Sequence, residues 1–89
     1  MERTYLAKQS GRTMVWVTDD PDKIEMLTRE PSTVIRHTVK LKGHEFELFI
    51  SAPDTEHLRN DPEASVAFAR DFMTNDSSQL MDWARVLLL

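Results

Sequence analysis

From Ile35 to Leu41, apolar and polar residues alternate: Ile35, His37, Val39 and Leu41 fall on one side, Arg36, Thr38, Lys40 and then Lys42 on the other. After Gly43-His44 the alternation resumes, with Phe46, Leu48 and Ile50 against Glu45, Glu47 and Phe49. A period of two over this length predicts two half-buried strands. Gly43-His44, with glycine first, predicts a two-residue type II′ turn between them. That turn sets Lys42 against Glu45, Leu41 against Phe46, Lys40 against Glu47 and Val39 against Leu48. Opposite charges then pair on one face and apolar side chains on the other.

A first hairpin is predicted upstream, where Ser10-Gly11 separates β-prone runs at 4–9 and 12–18. Asp19-Asp20-Pro21 then supplies an N-cap and a first-turn proline for a helix over 22–29, with Pro31 closing it and Ile24 and Leu27 as its buried positions. Asp61-Pro62-Glu63 repeats that start, and Phe68, Ala69, Phe72 and Met73 form a helical stripe. Residues 53–60 add a helical turn before it. Asn75-Asp76 breaks the stripe, Asp76 with Gln79 resembles a capping box in logic, and Leu80, Trp83, Ala84, Leu87 and Leu88 mark the face of a last helix. The order ββα-ββ-αα predicts a single α+β domain over 1–89, an antiparallel sheet of two hairpins with helices packed on it.

Two stretches carry more apolar residues than a two-layer domain uses. Met14, Val15, Trp16 and Val17 are apolar on both faces of their strand, and Met81, Val86 and Leu89 lie off the main stripe of the last helix. Met14, Trp16, Met81, Val86 and Leu89 are therefore expected at a partner or homodimer interface, because an exposed apolar patch marks an interaction site.

Composition narrows the function. Eighty-nine residues exclude two domains and leave little core for a deep catalytic cavity. The absence of cysteine excludes disulfides, thiolate zinc sites and cysteine nucleophiles. No apolar run approaches a membrane span, and Met-Glu-Arg-Thr lacks the core of a signal peptide, so a cytoplasmic protein is expected. With two glycines there is no phosphate-cradling loop, and no serine stands in a nucleophile elbow. His37 points to the core face and is expected to be structural, and His44 at the turn to be solvated. Asp19, Asp20 and Asp22 lack the glycine and distal glutamate of a calcium loop. No cofactor, metal site or enzymatic activity is expected.

Charge is distributed unevenly. A net charge of −4 disfavours a dedicated nucleic-acid binder. The strand segments 1–18 and 33–50 nevertheless sum to +3 and the segments 19–32 and 51–89 to −7. Asp19, Asp22 and Glu25 crowd the start of the first helix and form the candidate acidic surface for a larger protein partner. Arg36, Lys40 and Lys42 beside Phe49 form the alternative, a nucleic-acid face on the sheet. The leading expectation is a small acidic, non-enzymatic interaction module. It would act as a regulator or inhibitor of a larger protein, in the manner of phage or mobile-element proteins that block nucleic-acid enzymes.

Overall fold

The computed structural model describes residues 3–29 and 33–74. β1 (Tyr5–Ser10) and β2 (Thr13–Thr18) pair antiparallel with Ser10 opposite Thr13. The first turn is thus Gly11-Arg12, one residue later than predicted. Gly11 has φ +59° and Arg12 stays out of the left-handed region, the φ pattern of a type II′ turn.

β3 (Ile35–Leu41) and β4 (His44–Ser51) form the second hairpin, and here the predicted turn is corrected. Lys42 and Gly43 occupy the loop with φ 54° and 78°, both left-handed, which makes it type I′. Leu41 therefore faces His44, Lys40 faces Glu45, Val39 faces Phe46, Thr38 faces Glu47 and His37 faces Leu48. Moving the turn by one residue changes every partner but leaves every side chain on its predicted face. The parity stands as predicted, but the pairs differ and the outer side is not wholly solvated, since Phe49 and Glu47 on it are buried.

The hairpins join through their inner strands. Val15 lies opposite Ile50 and Val17 opposite Leu48, giving the strand order β1-β2-β4-β3. β1 and β3 are the edges of this sheet. Between the hairpins runs α1 (Pro21–Thr28), started by Asp20, whose carboxylate accepts a hydrogen bond from the Asp22 N–H at 3.0 Å. After β4 come a 3₁₀ turn (Glu56–Leu58) and α2 (Pro62–Thr74). Asp61 caps α2 by accepting from the Ala64 N–H at 3.0 Å.

α2 and the 3₁₀ turn cover one sheet face. Leu6, Val15, Val17, Ile35, Val39, Leu41, Phe46, Leu48 and Ile50 meet Leu58, Ala69 and Met73 in one apolar cluster. Phe68 and Phe72 stack at its margin, 6.4 Å between centroids. Four antiparallel strands with helices packed against them make an α+β domain.

The surplus of apolar surface is smaller than expected among the described residues. Val15 and Val17 enter the core, and Met14 and Trp16 on the other face are half-buried. Leu27 is buried as predicted, whereas Ile24 is half-buried. Phe49, which has the parity of the polar side, is buried. Among the described residues, Tyr5 and Met26 are the exposed large apolar side chains. The predicted last helix, including Met81, Val86 and Leu89, lies outside the described residues. Among the described residues, no helix is long and apolar enough to cross a membrane.

Candidate interaction surfaces

The predicted acidic surface divides. Asp19 follows directly on β2, and its side chain is only 11% exposed. One carboxylate oxygen accepts from the Thr4 N–H at 2.7 Å and the other lies 3.0 Å from His44 Nε2. Burial pushes the Asp19 carboxyl up, but the Thr4 N–H and the His44 ring outweigh it and hold the group below the usual carboxylate range. Asp19 thus serves the fold, tying the first strand, the α1 start and the second hairpin's turn together. Asp22 and Glu25 remain on the exposed side of α1, with Glu25 paired to Arg29 at 2.8 Å.

The sheet face proposed for nucleic acid loses its stacking surface. Phe49 is 1% exposed, and the Arg36 guanidinium lies 5.6 Å from its ring centroid. Arg36 Nε also donates to Glu47 at 2.8 Å, while Thr38 Oγ1 donates to the second Glu47 oxygen at 2.6 Å. A base stacks on an exposed ring, and this ring is closed off. Lys42 stands in the turn rather than beside Phe49, and Trp16, opposite Phe49 on β2, is half-buried.

The histidines lie apart. His37 Nε2 donates to the Leu58 carbonyl at 2.7 Å and so ties β3 to the 3₁₀ turn. His44 is exposed, and its ring meets Phe46 edge-on at 5.0 Å. Among the described residues, no three His, Asp or Glu side chains are grouped to hold a metal ion.

A further surface appears where α2 runs beside β3. An open cleft of about 380 Å³ is lined by Thr38, Val39 and Lys40 from the strand and by Pro62, Glu63, Val66 and Arg70 from the helix. Pro62, Val66 and Arg70 follow at four-residue spacing, so one stripe of α2 runs along the strand's free edge. Among the described residues, the backbone of that edge is open. A two-residue hairpin closes on a pair that exchanges both backbone hydrogen bonds, here Leu41 with His44. Alternation then turns the peptide groups of Ile35, His37, Val39 and Leu41 toward β4 and those of Arg36, Thr38 and Lys40 outward. Among the described residues, no backbone hydrogen bond reaches these three outward groups.

Of this surface the sequence singled out Lys40 and Arg36. Thr38, Val39, Glu63 and Val66 escaped notice because nothing in local periodicity says which strand of a hairpin ends at the sheet's edge. The stripe Pro62, Val66, Arg70 was the one available signal, and it reads equally as an ordinary helix flank. Compared with protein-family models, with curated proteins and with solved structures, the chain matches none of them.

Proposed function

We propose that the chain is a non-enzymatic protein-interaction module that acts by docking on a larger protein, as a regulator or inhibitor. The observation that carries this reading is the edge of β3 beside the α2 cleft, where three peptide groups without a backbone partner among the described residues adjoin the apolar side chains of Val39, Pro62 and Val66. Unpaired strand edges are templates for another chain, and a strand edge flanked by a helix is a recurring way of binding an extended segment. Three side chains of types that catalysis uses are tied into the fold: His37 anchors Leu58, Asp19 anchors Thr4 and His44, and Glu47 is held by Arg36 and Thr38. Asp22 and Glu25 on α1 add an acidic flank suited to a basic patch on the same partner.

Affinity capture from native lysate tests the reading when the full chain is run beside Thr38→Pro. The Thr38 N–H points away from β4, so proline there removes a donor that the sheet does not use. Because proline also removes the hydroxyl that donates to Glu47, Thr38→Val, which keeps the N–H, is run as the control and should retain the partner. A stoichiometric protein retained by the parent and lost with the variant is expected. Retention of the same protein by both overturns the docking site, and nucleic acid retained at low salt in place of protein overturns the function.

A further inference from the structure

We infer that the β3 edge takes an acidic extended segment of the partner, one that alternates carboxylate and aliphatic side chains. The inference rests on the docking reading above and adds the chemistry of the occupant. A strand added outside β3 inherits the sheet's alternation. Residues opposite Arg36, Thr38 and Lys40 carry their side chains on the outer face, and those between them point to the side of Val39, where the cleft floor also includes Val66 and Pro62.

On the outer face the incoming strand meets cations. β3 bears Arg36 and Lys40, the turn bears Lys42, and no acidic residue occurs from Ile35 to Gly43. Arg36 is paired with Glu47. Lys40 and Lys42 are exposed, and among the described residues neither lies within ion-pair distance of a carboxylate. Cross-strand opposite charges stabilise a pairing and like charges oppose it. Glutamate or aspartate is therefore favoured opposite Lys40, and a strand of neutral or basic residues is turned away, which is the usual service of lysine on an edge strand.

The same charges exclude a second copy of β3 as the occupant. An antiparallel β3–β3 pairing that engages all three outward peptide groups sets Thr38 opposite Thr38 and Lys40 opposite Arg36, cation against cation. The chain's net charge of −4 repels an acidic segment at a distance, but screening confines that repulsion to about 8 Å at physiological salt. At contact the nearest charges decide: Lys40 and Lys42 flank the incoming strand, whereas Glu45 and Glu47 stand one strand further in and Glu63 lies on the cleft side, where the segment's aliphatic side chains go.

The test is a titration of the full, isotopically labelled chain with a capped synthetic peptide alternating glutamate and valine, and with its lysine/valine counterpart. The glutamate peptide is expected to shift the amides of Arg36, Thr38, Lys40 and Val66 saturably, with an affinity at least about tenfold above that of the lysine peptide. Lys40→Glu should invert that preference. Thr38→Pro, and separately Val66→Glu in the cleft floor, should abolish binding in a chain whose spectrum stays dispersed. If both peptides bind the edge equally and Thr38→Pro abolishes both, the docking reading stands and the acidic partner is overturned. If neither peptide moves these amides and Thr38→Pro leaves partner capture unchanged, both fall. Concentration-dependent shifts of the same amides without peptide would make a second copy the occupant and overturn the inference.

Discussion

Both oxygens of Asp19 are engaged inside the chain, so this carboxylate titrates as part of the fold. Its pKa is lowered in the folded state, and the sign follows from linkage. The stability it contributes is complete above the unfolded carboxyl's ordinary value of about 3.9 and is lost as pH falls through the lower folded value. Asp19→Asn should therefore lower the urea midpoint at neutral pH and flatten the acid limb, with parent and variant converging in acid. Midpoints measured across that limb check it. The turn of the second hairpin offers a sharper residue-scale test. Gly43 and Lys42 are both left-handed, which glycine tolerates and a side chain resists by about 1–2 kcal/mol. Gly43→Val should destabilise by at least that amount. Lys42→Asn should stabilise by about 0.5–1 kcal/mol, because asparagine is favoured at the first position of a type I′ turn. A type II′ turn at Gly43-His44 would give no gain at residue 42, so paired denaturant curves discriminate the two turns.

Among the described elements, the four strands and the helices α1 and α2 were legible and the phase of neither turn was. Alternation identifies the faces of β3 and β4 because a buried side and a wet side differ in chemistry at every second residue. The two candidate turns preserve that parity, so hydrophobic pattern alone carries no preference between them. Backbone twist does not separate them either, since types I′ and II′ both match the strands, and the chain adopts type I′ with lysine at a left-handed position. Phe49 was assigned to a solvated face from its neighbours Glu45 and Glu47, yet Arg36, Glu47 and Trp16 beside it belong to a partly closed second layer. The helix starts were readable because Asp-Pro fixes cap and first turn together. Their weights should differ. Asp61→Ala should cost about 1 kcal/mol of global stability, since α2 carries the buried Ser65, Ala69 and Met73. Asp20→Ala should cost less globally and show mainly as faster amide exchange in α1, whose one buried residue is Leu27.

At the scale of the molecule, the seam between β2 and β4 and the cover of α2 supply the main core of the described residues. Met73 is fully buried against that core, and Met73→Ala should cost about 2–5 kcal/mol out of a total near 5–10 for a domain this small. A two-state denaturation curve with an unchanged slope and a midpoint lowered by roughly half is the expected result. Strand order also explains why the cleft could not be foreseen: it exists because β3, and not β4, ends the sheet. That same order sets a timetable for a chain emerging from the ribosome. The four strands are complete once Ser51 has emerged, but the helix that covers them ends at Thr74. At about 5–20 residues per second, synthesis of the intervening segment leaves Val15, Val17, Leu48 and Ile50 on an uncovered sheet for about 1–5 s. During that interval the nascent chain is a natural client for factors that shield apolar surface, and slower translation between 52 and 74 lengthens its dependence on them.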